Sequence, residues 1–168
     1  STTDNDVKPN GKTRLEDRVE ALEKYYREQG TLGAEERISP DIIYIKFAGN
    51  ESRVDPVTYK SQIGQIISIF RNTLGYKDAS IVLMSGKVNN QRTYLYNLTD
   101  TYIPPRKGDE GFKNYQREQE TALVELANET ENCIAIQNTT FWLNIVKSKD
   151  SEDYISNNIN HANDYWVM

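Results

Sequence analysis

Hydrophobic positions along this chain alternate between helical and strand spacing, and those changes of period divide it into elements. Residues 1–12 are polar, carry Pro9 and Gly11, and read as a flexible tail. Thr13 and Glu16 then form a capping-box pattern, and Leu15, Val19, Leu22 and Tyr26 recur at helical spacing, predicting an amphipathic helix over 13–30. Gly30 and Gly33 stop it, and 31–40 is a linker closed by Pro40. Ile42 to Phe47 is rich in strand formers. Asp55-Pro56 supplies a helix start, and Tyr59, Ile63, Ile66, Ile67, Phe70 and Leu74 share one face of the helix after it, with Gly75 as its stop.

Ala79 to Met84 is apolar on both alternations and suits a central strand covered on both sides. A turn over Ser85 to Asn90 leads to a strand over Thr93 to Leu98, so the two strands read as a hairpin. After a loop from Thr99 to Gly108, Asp109 starts a helix with Phe112, Tyr115, Ala122, Leu123 and Leu126 on its apolar side. Cys133 to Ile136 and Thr140 to Val146 are read as strands, the second with Phe141, Leu143 and Ile145 on one face. Ile155, Ile159, Ala162 and Trp166 keep helical spacing in the last segment. The order α–β–α–β–β–α–β–β–(α) predicts an α+β protein, with 41–168 as one domain.

Composition narrows the function. At 168 residues the chain is long enough to bury its own core without a disulfide or metal. The hydrophobic share is 37% and no apolar run reaches the length of a membrane helix, so no membrane insertion is expected. A net charge of -5 opposes a nucleic-acid footprint, which needs a concentrated basic surface. Cys133 is the single cysteine, which excludes an internal disulfide and favours a cytoplasmic, reducing setting. Sequons at Asn50, Asn97, Asn128 and Asn138 fit chance in a chain rich in Asn, Ser and Thr. The beginning at Ser1 and the end at Met168 suggest an excised or processed piece.

No residue pattern carries catalytic or metal chemistry. His161 is the lone histidine and lies in a polar, Asn-rich stretch, while Glu129 and Glu131 beside Cys133 disfavour a reactive thiolate. Asp150-Ser151-Glu152-Asp153 lacks the glycine and terminal glutamate of a calcium loop. No metal, cofactor or enzymatic activity is therefore expected. Two binding leads remain. Arg106 and Lys107 precede a predicted helix start, where free N–H groups favour an anion, although a solvated surface turn is the simpler reading because Asp109 and Glu110 already complement the dipole. Tyr94, Tyr96, Tyr102 and Trp142 belong to a chain with 11 tyrosines, and suit either a half-polar ligand pocket or ordinary packing.

From Pro56 to Val146 the pattern resembles a GAF domain, the ligand-sensing module related to PAS. The likeness lies in the amphipathic helix, in KDASIVLMSGKVNNQRTYLYNLTD as a hairpin, and in a helix ending ELANETENCIAIQN. The resemblance implies a mainly antiparallel sheet of five or six strands with helices packed on it. It also implies a small-molecule or anionic ligand between the sheet and the loops around 99–113, contacted by Tyr94, Tyr96, Tyr102, Arg106, Lys107, Phe112 and Trp142. The strand at 42–47 lies outside that pattern and keeps a ferredoxin-like βαββαβ order open. Two functions are expected on these grounds. One is a non-enzymatic sensory module relaying ligand state through the N-terminal helix. The other is a protein-interaction or assembly module, in which Leu15, Val19, Leu22 and Tyr26 pair two copies into a homodimer.

Overall fold

A computed structural model of the chain describes residues 7–47, 54–86 and 115–148. Its first helix, α1 (Arg14–Glu28), opens as the sequence predicts. The Thr13 side chain accepts the Glu16 N–H at 3.2 Å, and the Glu16 carboxylate accepts the Thr13 N–H at 2.8 Å. This reciprocal pair satisfies two donors that a helix start otherwise leaves unmet. Ahead of it, Val7 bridges to Thr13, and Lys8 pairs with Asp17, tying residues 7–13 back onto the helix.

The end of α1 is held by a buried carboxylate. Glu23 accepts from Arg37 Nε at 2.7 Å and from the Ile38 N–H at 3.1 Å, with Arg27 3.6 Å away. Burial alone would push its carboxyl up, but these bonds and the two guanidinium charges outweigh it and hold Glu23 below the usual carboxylate range. The connector after α1 is thereby fixed to the helix.

Strand β1 (Ile42–Ile45), strand β2 (Ser80–Met84) and strand β3 (Cys133–Ile136) form one sheet in the order β1-β2-β3. Both pairings are parallel, with Ile43 opposite Ile81 and Val82 opposite Ile134. The mainly antiparallel sheet of five or six strands is thus replaced, among the described residues, by a small parallel one, and the ferredoxin-like βαββαβ alternative falls with it. The physical reason is connectivity. Each neighbour of β2 is reached through a crossover carrying a helix, which returns the chain to run in the same direction. The expected hairpin partner, Thr93 to Leu98, lies outside the described residues.

Helix α2 (Pro56–Ser68) bridges β1 to β2, with Asp55 as its N-cap accepting the Thr58 N–H at 2.9 Å and proline in its first turn. Helix α3 (Gln116–Glu129) precedes β3. Two crossovers of one hand, stepping the same way across the sheet, put both helices on the same face. There Tyr59, Ile63, Ile66 and Ile67 from α2 and Leu123 and Ala127 from α3 pack on Ile43, Ile45, Ile81 and Leu83. The Tyr59 hydroxyl donates to the Phe47 carbonyl at 2.6 Å, so the largest side chain on this face of α2 is buried with its polar tip satisfied. Outside, Lys60 joins the two helices by reaching Glu125 and Glu129 at 3.2 and 2.8 Å.

Past Ser68 the helix loosens into a π turn, Ile69–Thr73. It ends at Gly75, whose φ of 80° favours glycine. Phe70 and Tyr76 stack with ring centres 6.3 Å apart. From inside this turn Arg71 donates to the carbonyls of Tyr76 at 3.0 Å, Lys77 and Glu131 at 3.1 Å. One guanidinium therefore holds the chain just before β2 and just before β3.

Thr140 to Val146, expected as a strand, is instead part of helix α4 (Asn138–Ser148). Its aromatic and β-branched residues favour a strand locally, and a contact from elsewhere in the fold overrides them: the Glu120 carboxylate of α3, seated on the first N–H groups of α4.

Two outcomes test this scaffold. Ile63→Ala should lower unfolding stability by about 2–5 kcal/mol in urea titrations, because it opens a cavity between α2 and the sheet. The Glu23 carboxyl titrates lower in the folded chain than in the unfolded one. Its stabilisation is therefore complete above the ordinary value of ~4.3 and is lost as pH falls through the folded value. Glu23→Gln should flatten the pH dependence of stability in that acid window and leave the slope near neutrality unchanged.

Candidate functional site

Two regions stand out, one polar and one apolar. The polar one lies at the carboxyl ends of the strands. Of the buried polar side chains among the described residues, Ser85, Gln116, Gln119, Glu120 and Thr139 all gather there. Ser85 follows β2, Thr139 opens α4 just after β3, and the other three line the first turns of α3.

Glu120 is the centre of this group and is only 5% exposed. Its carboxylate accepts the Thr139 N–H at 2.8 Å, the Thr140 N–H at 3.1 Å, and the hydroxyls of Ser85 and Thr140. The Thr139 N–H also lies 3.0 Å from Ser85 Oγ, and the Thr139 hydroxyl donates to the Gly86 carbonyl. A carboxylate from α3 thus serves as the N-terminal cap of α4, complementing both its free N–H groups and its dipole. Gln119 extends the network by donating to the Val54 carbonyl at 2.7 Å, ahead of α2.

This arrangement is a fastening, and its chemistry is spent internally. Both Glu120 oxygens accept from backbone and hydroxyl donors, so the N-terminus of α4 already holds its anion within the chain.

The second region is the other side of the sheet. Ile42, Tyr44, Val82, Met84, Ile134 and Ile136 alternate with the buried positions and so point away from α2 and α3. Ile42 is 64% exposed, Tyr44 52%, Ile134 59% and Ile136 40%, with Val82 and Met84 half-buried between them. Register makes them one surface: Tyr44 lies opposite Val82, Val82 opposite Ile134, and Met84 opposite Ile136. The Tyr44 hydroxyl turns to the Met84 sulfur across the strand pair. Parallel sheets ordinarily have both faces covered, whereas Ile42, Tyr44, Ile134 and Ile136 stay exposed on this one.

The residues singled out from sequence are placed as follows. Tyr94, Tyr96, Tyr102, Arg106, Lys107 and Phe112 lie outside the described residues, as does His161. Trp142 is buried on α4. In α1 the stripe divides. Leu15 packs against the sheet core and Val19 is half-buried, while Leu22 and Tyr26 are exposed beside Tyr25. Cys133 sits half-buried at the start of β3, where burial pushes its thiol up and the nearby Arg71 charge opposes that in part.

Sequence reasoning overlooked Glu120, Ser85, Thr139 and the open face. The signal for Glu120 was spacing. Gln116, Gln119 and Glu120 continue the stripe of Leu123 and Ala127 at i, i+3, i+4, i+7 and i+11, so they belong to the buried side of α3.

No helix of the described residues is long and apolar enough to cross a membrane. Compared with protein-family models, curated proteins and solved structures, the chain matches none of them.

Glu120→Ala strips the cap from α4 and leaves the N–H and hydroxyl of Thr140 without their acceptor. It should cost about 2–4 kcal/mol in chemical denaturation. Glu120→Gln keeps an acceptor and should lose less, so a larger loss for glutamine than for alanine would overturn this account of the cluster.

Proposed function

We propose that this chain is a non-catalytic protein-interaction module, working in a reducing, cytoplasmic setting, that docks a partner protein on the open face of its sheet. The observation supporting this reading is the continuous apolar surface of Ile42, Tyr44, Val82, Met84, Ile134 and Ile136 on a parallel sheet. Burying such side chains is worth about 1.5–3 kcal/mol each, which a partner gains and solvent exposure forfeits.

The test uses an environment-sensitive apolar dye. Wild type should bind it, and the double variant Ile42→Asp, Ile134→Asp should bind it at least about fivefold more weakly. Because both side chains are already exposed, the melting temperature of the variant should stay within a few degrees of wild type. A wild-type chain that fails to bind the dye would sink the reading.

A small-ligand sensor is the second reading, and one observation favours it. Residues 87–114, which include Tyr94, Tyr96, Tyr102, Arg106, Lys107 and Phe112, are joined to the carboxyl end of β2. Open α/β sheets hold their ligands at that edge. A thermal-shift screen of metabolites and nucleotides separates the two readings, since a ligand that raises the melting point equally in wild type and in the double variant supports the sensor.

A further inference from the structure

We infer that α4 is a conditional helix, a cover that opens as a unit from an otherwise folded domain, because the groups that keep it helical belong to other elements. Its own residues supply little. In the sequence NTTFWLNIVKS, Thr139, Thr140, Phe141, Trp142, Ile145 and Val146 are β-branched or aromatic and lose side-chain freedom in a helix. The element has 11 residues and no acidic residue in its first turn. Isolated helices shorter than about 12–15 residues are marginal in water even when their composition favours them.

The capping position adds nothing local. Gln137 takes that place, its carbonyl accepting the Phe141 N–H at 3.1 Å, and glutamine is not one of the short side chains that cap well. An N-cap side chain ordinarily serves the N–H groups of the second and third helical residues, which here are Thr139 and Thr140. Both donate to Glu120 of α3, at 2.8 and 3.1 Å, and the Thr139 N–H also lies 3.0 Å from Ser85 Oγ. Helices α1 and α2, by contrast, are capped by their own Thr13 and Asp55.

Opening is separable from unfolding. Among the described residues, the core cluster of α2, α3 and the sheet contains no side chain from α4, and Trp142 is buried outside it. Release of α4 returns water to the Glu120 carboxylate, to the Ser85 hydroxyl and to the freed N–H groups at once, so no unpaired charge stays in the interior. The opened form presents Glu120, Ser85 and the Trp142 indole, all of which are hidden when α4 is closed.

Amide hydrogen exchange of the full chain, read residue by residue, tests this. In wild type the amides of residues 141–148 should exchange together and be protected at least about tenfold less than those of Ile63 to Ile67 and Ile81 to Leu83. In Glu120→Ala the same group should approach the exchange rates of unfolded chain, while α2 and β2 stay at least about tenfold slower. Adding Gln137→Asp to Glu120→Ala gives α4 a cap of its own and should restore protection of 141–148 by about fivefold or more.

Equal protection of α4, α2 and β2 in wild type would overturn the inference, since α4 would then open only with the whole fold. So would a Glu120→Ala variant in which α4 keeps its protection, or one in which α2 and β2 lose theirs along with it. If Gln137→Asp restored nothing, the missing cap would not be the cause of opening, and the inference would fall.

Discussion

The carboxylate of Glu120, held against the first turn of α4, is the constraint on which much of this small protein depends. It joins three separate pieces of chain: α3, which carries it; the end of β2, through Ser85; and the first turn of α4, through Thr139 and Thr140. A buried carboxylate without donors would be strongly unfavourable, and a buried helix start without acceptors would be too. Each solves the other's problem. The pairing also fixes secondary structure, since residues whose composition favours a strand wind into a helix once their leading N–H groups have a negative acceptor.

Among the described residues, helices cover one side of the sheet. Helices α2 and α3 meet over Ile43, Ile45, Ile81 and Leu83, and the surface behind them stays apolar. Among the described residues that opposite surface carries few hydrogen-bonding side chains, Ser80 and Tyr44 among them. The proposed role rests on the exposure of Ile42, Tyr44, Ile134 and Ile136 on that side.

Much of this was legible in the sequence, and the omissions have physical causes. The capping box at Thr13 and Glu16, the Asp55-Pro56 start and the stripe from Tyr59 to Ile67 are local signals, complete within a few residues. Strand Ser80–Met84 was legible as doubly apolar, but that pattern does not encode whether its neighbours run with it or against it. The expected antiparallel sheet failed there. Phe141 and Leu143 alternate as a strand would, and the residue that makes them helical lies about 20 positions earlier. Glu120 itself reads as solvated by residue type and as buried only by its spacing from Leu123 and Ala127. The open face was written in Ile42, Tyr44, Ile134 and Ile136, yet apolar residues on both alternations equally describe a sheet buried on two sides.

The π turn at Ile69–Thr73 bears on how the chain can vary in length. It is the stretch in which the helix accommodates one residue more than regular winding needs, and Arg71, inside it, reaches three carbonyls across two approaches to the sheet. Removing a residue there would tighten the turn into ordinary α-helix and swing the residues after it by about 100° around the axis. Arg71 would lose its carbonyls, and the Phe70–Tyr76 stack would separate. A change of length within these five residues would therefore break contacts that a change of length in a surface loop would leave intact.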